Sequence, residues 1–224
     1  MFKLKHRPLP FALILALAGC ASYTGRRESG PLPLGLQVAD IAGGSLHAVI
    51  GILAAVVQRQ TSGRGQLVDI GMTDCAFTLN AMAGAAALAG GVDAQPETTL
   101  LNGGSFYDYY RTADDRYLAV GSLEPQFMQA LAQAIGQPQI AGLGLAQDAA
   151  TQAQLKQTLR DALSRKTLAE WQTVFADVDA CVEPVLSLSE AALQPHAQAR
   201  NWVVQVPVPG GSSQAQTACP LKFS

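Results

Sequence analysis

Between residues 36 and 77 apolar side chains crowd together with few polar interruptions. Leu46, Val49, Ile50, Leu53 and Val57 recur at helical spacing, while Ile52, Ala54, Ala55 and Val56 fill most of the remaining circumference. The pattern predicts a long helix ending near Gln60 and apolar nearly all round. Such an element is expected to be buried, in the centre of a domain or at an oligomer interface. Asp40, ahead of Gly43-Gly44, stands where an N-cap would, because a carboxylate there accepts the orphan N–H groups of a first turn. Residues 61–65 predict a turn and residues 66–70 a short strand, with Leu67, Val68 and Ile70 apolar. A second helix rich in Ala and Gly is expected over 72–89, and a loop over 90–104.

Beyond the loop the pattern changes. Residues 106–112 and 117–121 predict two strands around a turn at 113–115. Glu124 and Pro125 open a helix whose buried stripe is expected to be Phe127, Leu131 and Ile135. Proline suits the first helical turn, and an acid there meets the positive helix end. Helices follow over 152–163 and 168–177, the second packing Leu168, Trp171, Val174 and Phe175 as core. A strand at 181–186, a short helix at 189–193 and a strand at 202–206 complete the reading. The class is mixed α/β. The expected organisation is an N-terminal segment and connector over 1–35, part of a larger domain with its linker over 36–104, a small α+β domain over 105–183, and a return segment over 184–224.

Composition sharpens this picture. The chain is 49% hydrophobic and only 14% charged, against about 25% charged in an ordinary soluble domain. A large buried fraction is implied, in a core or against a partner. A net charge of -2 leaves no basic footprint for nucleic acid. Cys20, Cys75, Cys181 and Cys219 lie far apart without C-x-x-C spacing, which argues against zinc and against a disulfide scaffold. Buried thiols in a reducing compartment are expected. The first twenty residues carry Lys3, Lys5, His6 and Arg7, a short apolar run over 11–18, and Leu17-Ala18-Gly19-Cys20, which is similar to a bacterial lipobox. The run is too short to span a bilayer, so taken alone it reads as a cleaved signal with a lipid on Cys20.

Two carboxylates stand out by position. Asp40 and Glu124 both sit where a loop or strand feeds a helix, a usual place for site residues, and each also has a capping explanation. His47, inside the apolar helix, reads as a satisfied core or interface residue, and His196 as part of a surface turn. Cys75 reads as a small buried hydrophobe. No G-x-S-x-G, H-E-x-x-H or G-x-x-x-x-G-K-[ST] motif is present.

Several separate stretches nevertheless resemble one family. The run Ala39-Asp40-Ile41-Ala42-Gly43-Gly44, the segment Ser62-Gly63-Arg64-Gly65-Gln66-Leu67-Val68-Asp69, residues 106–127, Asp179-Ala180-Cys181-Val182-Glu183-Pro184-Val185 and Pro195-His196 are similar, in order, to the alpha-methylacyl-CoA racemase branch of the family III CoA-transferases. The resemblance covers residues 15–224 and implies a partial family III fold: long buried helices of the large domain plus a small α+β domain, without the Rossmann-like N-terminal part. It implies racemisation of 2-methylacyl-CoA thioesters through an enolate, with acid/base groups on opposite faces of the α carbon. By motif position Asp40 matches the aspartate of the family's His–Asp pair, Glu124 the opposing glutamate, and Tyr107 the active-site tyrosine. No cofactor is implied beyond coenzyme A as part of the substrate, and the expected partner is a second copy in an interlocked homodimer.

The chain also departs from the family pattern. Leu9-Pro10-Phe11 holds the place of the family's Gly-His-Asp motif, and His6 is out of register with it. Leu15 to Gly19 matches the family segment that follows that motif, which accounts for the lipobox pattern and makes the cytoplasm the expected location. The chain is expected to be a truncated piece of a racemase, its activity impaired for want of the histidine. The alternatives are CoA transfer between carboxylic acids, with Asp40 as nucleophile, and a non-enzymatic lipoprotein anchored at Cys20.

Overall fold

A computed structural model describes residues 37–96, 98–101 and 103–223. The lipobox-like run ending at Cys20, the Leu9-Pro10-Phe11 tripeptide and the connector lie outside the described residues. The described residues divide into two compact units at the Asp93–Ala94 junction.

In the first unit, wide π-helical turns over Gln37–Leu46 run directly into helix α1 (His47–Ser62). Asp40 therefore lies within the first turn of a helical run rather than at its N-cap, which corrects the capping expectation. Glycines permit the wide turns. A side chain at Gly43 would stand 3.2 Å from the Val38 carbonyl and 3.6 Å from Cys75 Cβ, so its absence lets the turns pack on helix α2 (Met72–Leu79). His47 Nδ1 lies 2.9 and 2.8 Å from the Ala42 and Gly43 carbonyls, the satisfied arrangement expected of it. Helix α1 ends at Gly63, whose φ of +67° suits glycine and whose N–H reaches the Arg59 carbonyl.

For α1, burial in the centre of its own unit is corrected, while burial at an oligomer interface stays an expectation. None of its residues is buried, and Ile50 and Val57 are 62% and 63% exposed. An all-round apolar helix needs cover on every side, and residues 66–70 cover only one stripe. They approach at Gly51, where a Cβ would stand 2.8 Å from Val68 Cγ1. That segment pairs with no strand among the described residues, so the expected strand at 66–70 is also corrected: a ladder needs a partner. The run Val38–Ser62 is long and apolar enough to cross a membrane by length and composition alone, a test that core helices of soluble proteins also pass. The helix expected over 72–89 forms as α2 and α3 (Ala81–Gly90), broken at Asn80.

The second unit is organised around a three-stranded antiparallel sheet in the order β1 (Asp108–Arg111), β2 (Tyr117–Val120), β3 (Val182–Pro184). Between β2 and β3 the chain makes helices α4 (Pro125–Ala134), α5 (Ala149–Leu163) and α6 (Leu168–Phe175). Tyr110, Leu118, Val120 and Val182 face these helices and join Phe106, Leu131, Leu155, Leu159 and Trp171 in one core. Trp171 is 2% exposed and its indole N–H donates to the Leu163 carbonyl at 2.8 Å, so it is core as expected. The stripe of α4 is shifted from the expected one: Met128, Leu131 and Ala132 are buried, while Phe127 and Ile135 are only half-buried. Asp148 and Thr167 cap α5 and α6, the latter in a reciprocal capping box with Glu170.

Beyond β3 come two short helices, α7 (Leu188–Ala192) and α8 (Pro195–Ala199), and a hairpin of β4 (Val203–Pro207) with β5 (Ser213–Thr217). His196, read as part of a turn, lies on α8, exposed and edge-on to Trp202. Strand β5 has the sequence SQAQT, whose lack of apolar alternation left it unpredicted. The thiols also need correction, because Cys75 is buried but Cys181 and Cys219 are exposed.

Candidate functional site

Strand alternation builds one wall of a cleft. Because successive residues point to opposite faces, the registers Tyr109↔Ala119 and Ala119↔Glu183 place those three side chains in one row on the face away from the core. Two residues along, Tyr107, Gly121 and Cys181 make the next row on that face, and the Gly121 N–H continues the ladder to the Cys181 carbonyl at 2.9 Å. These residues, with Leu101, Leu123, Glu124, Phe127, Lys156 and Arg160 among others, line an open-sided cleft of about 1030 Å³ within the second unit.

Glu124 reaches the cleft because β2 ends at Val120 and the chain turns into α4. Its backbone has the extended φ of −73° and ψ of 144° of an N-cap, and Pro125 starts the helix. Its carbonyl accepts from Phe127 and Met128, yet its carboxylate makes no capping hydrogen bond. The capping explanation holds for the backbone alone. The exposed carboxylate is thus available at the positive end of α4.

Tyr107 is 40% exposed and its ring lies against Gly121. Its N–H donates to Ser105 Oγ at 3.0 Å, and that hydroxyl donates to the Leu100 carbonyl at 2.6 Å. Tyr107 and Glu124 are therefore brought to one cleft. Asp40 belongs to the first unit, half-buried, its backbone carbonyl accepting from Ser45 Oγ at 2.9 Å.

Four further residues of the cleft escaped the sequence reading. Lys156 pairs with Asp108 at 2.8 Å, whereas the Arg160 guanidinium, without a hydrogen bond or ion pair of its own among the described residues, acts on Asp108 only through its charge. Burial works to raise the Asp108 pKa, but the Lys156 hydrogen bond and charge and the Tyr109 N–H hold the carboxyl below its ordinary value. Cys181 has a φ of +50°. Partial burial, then the charges of Asp179, Glu124 and Glu183, push its thiol up, which keeps it protonated and a poor nucleophile. Glu183 is the fourth. Two-residue alternation along 181–183 and the i, i+4 spacing of Lys156 and Arg160 were the signals that could have found them. Among the described residues no group of His, Cys, Asp and Glu could hold a metal ion.

Comparison with known proteins gives a consistent result. Residues 6–224 match the model of CoA-transferase family III. The human alpha-methylacyl-CoA racemase is 36% identical over 196 residues, covering 84% of this chain and 49% of that protein. A succinyl-CoA–D-citramalate CoA-transferase of Chloroflexus aurantiacus is 32% identical over 127 residues, 56% of this chain and 31% of the transferase. The crystal structure of a CaiB/BaiF family protein from Brucella suis superposes with a TM-score of 0.67 at 21% identity, over 95% of this chain and 56% of that one, a likeness of fold. The chain spans about half the length of the curated racemases it matches.

Proposed function

From the premise that this chain belongs to CoA-transferase family III, we propose that it serves an enzyme that racemises acyl-CoA thioesters branched at carbon 2. The observation that carries the reading is Glu124. It is a carboxylate at a helix N-terminus, free of the capping bond its position offers, in a cleft shared with Tyr107. The thioester acidifies the α proton. Glu124 removes or returns it on one face, and the Tyr107 hydroxyl stands near the reacting carbon as a hydrogen-bond donor. By motif position Asp40 is proposed as the orienter of the family's catalytic histidine, whose Gly-His-Asp place is held here by Leu9-Pro10-Phe11. The enolate needs preorganised donors and exclusion of water.

The cleft is open on one side, and a second copy of the chain is proposed to close it in an interlocked dimer. The bare apolar surface of α1 supports such a partner. No cofactor is proposed, coenzyme A entering as part of the substrate, and the cytoplasm is the proposed location.

The test is incorporation of solvent deuterium into a 2-methylacyl-CoA by the chain and by Glu124→Gln. Exchange lost in the variant is expected, by at least about 100-fold. Exchange that survives unchanged would remove Glu124 from the mechanism. A second reading, CoA transfer between carboxylic acids with Asp40 as nucleophile, is favoured by the citramalate transferase among the relatives. A covalent adduct trapped on Asp40 would put that reading first.

A further inference from the structure

The segment that carries Tyr107 is held at almost every residue, and two of the holds come from one face of α5. Gln152 and Lys156, four residues apart on that helix, point the same way. The Gln152 carboxamide oxygen accepts the Phe106 N–H at 3.0 Å, while its nitrogen donates to the Gly144 and Ala146 carbonyls. Lys156 Nζ donates to the Gly103 carbonyl at 2.8 Å and pairs with Asp108 Oδ2 at 2.8 Å. The two contacts of Lys156 fall on either side of Tyr107 in the chain. The Lys156 and Asp108 side chains are 15% and 32% exposed, so this is a part-buried pair rather than a fully solvated surface bridge.

We propose that Lys156 is the positioning residue for Tyr107: by clasping Gly103 and Asp108 it sets the strand entry from which the Tyr107 ring is held over Gly121 in the cleft. The inference rests on the racemase reading for its kinetic consequence, not for its geometry. Within the clasp, Ser105 supports the Tyr107 backbone but makes no bond to the phenol, and Gly121 offers the ring a flat bed without a lateral stop. The orientation of the ring therefore depends on where the backbone of 103–108 lies. Lysine suits this task because one ammonium can serve a carbonyl and a carboxylate at once. Arginine, with its fork of donors, can replace it, whereas methionine fills the same space with no donor at all.

Two arms test the proposal on the full chain. One Gly121 Hα points at the Tyr107 ring, so its resonance, read in glycine-labelled protein, reports the ring's position whether or not the chain is active. In Lys156→Met this shift should collapse toward an ordinary glycine value, and Lys156→Arg should restore it. Core Trp171 fluorescence should stay native in both, showing that the fold is intact.

In the exchange assay Lys156→Met should lower kcat about tenfold with KM changed less than about twofold. In a Tyr107→Phe background the same substitution should cost less than about twofold, because a residue that acts through the Tyr107 hydroxyl has little left to disturb. A Gly121 shift unmoved in folded Lys156→Met, or a full tenfold loss persisting beside Tyr107→Phe, would overturn the proposal. Absence of exchange in the parent chain, with the Gly121 shift moving as expected, would count against the racemase reading and leave the positioning role supported.

Discussion

The ring of Tyr107 rests on Gly121: a methyl group at that glycine would stand 3.3 Å from Cε2 and 3.4 Å from the phenolic oxygen. This is closer than a neighbour accepts without giving way by a few tenths of an ångström. Tyr107 is half-exposed and free to give way outward, so the strain is relieved by moving the ring rather than the sheet. Gly121→Ala should change stability by less than about 1 kcal/mol and lower deuterium exchange by roughly tenfold or more. A thermal melt and the exchange assay, run side by side, check both halves.

Gln152 carries a structural prediction. It is 5% exposed and satisfies three backbone groups, the Phe106 N–H and the Gly144 and Ala146 carbonyls. Replacing it with leucine keeps much of its bulk but leaves those groups without their partner, at roughly 1–3 kcal/mol for each one that water cannot reach. Gln152→Leu should lower the urea midpoint by the equivalent of about 3 kcal/mol. A midpoint within error of the parent would mean that solvent enters this part of the core.

Acid lability should trace to a small set of carboxylates. Asp114 accepts from the Thr112 hydroxyl at 2.6 Å and the Leu168 N–H at 3.0 Å, and these bonds hold its pKa below the ordinary value. Asp148, Glu170 and Glu190 are lowered likewise, first by the N–H groups they cap. A lowered folded pKa means that the unfolded chain takes up protons first. The stabilisation is complete above the unfolded values near pH 4 and is lost as the pH falls through the folded ones. Asp114→Asn should reduce stability at neutral pH and flatten the loss below about pH 4, measured as urea midpoints across that range.

Alkaline behaviour has the opposite sign. Burial, and then the Asp108 charge, push the Tyr110 phenol well above its ordinary pKa, and its O–H donates to the Phe106 carbonyl at 2.6 Å. The folded protein keeps a proton that the unfolded chain releases near pH 10, so stability is full below that value and falls as the pH rises beyond it. Tyr110→Phe should cost about 1 kcal/mol at neutral pH and remove part of the alkaline decline.

Local pattern by itself determined much of the second unit. Alternation around 113–115 marked β1 and β2, Pro125 marked the start of α4, and helical spacing put Trp171 in the core. These signals are local, and the unit supplies enough apolar surface to satisfy them within itself. Alternation within the predicted strand over 106–112 puts Tyr107 and Tyr109 on one face, and the register between β1 and β2 adds Ala119 to it. Alternation alone did not say what lay opposite them.

Tertiary structure alone decided the rest. That Glu183 and Cys181 join Tyr107 depends on β3 pairing with β2 from more than sixty residues away in the chain, a register no short window contains. Lys156 and Arg160 look alike as helix-surface cations; only packing of α5 on β1 gives the first a direct ion pair with Asp108 and leaves the second to act on it through charge alone. Asp40 and Glu124 looked alike as caps, and the fold separated them: wide turns carried Asp40 inside a helix, while Glu124 kept the N-cap backbone without the side-chain bond. Burial of α1 within its own unit was not met, because an all-round apolar helix states how much cover it needs, and periodicity cannot state which chain provides it.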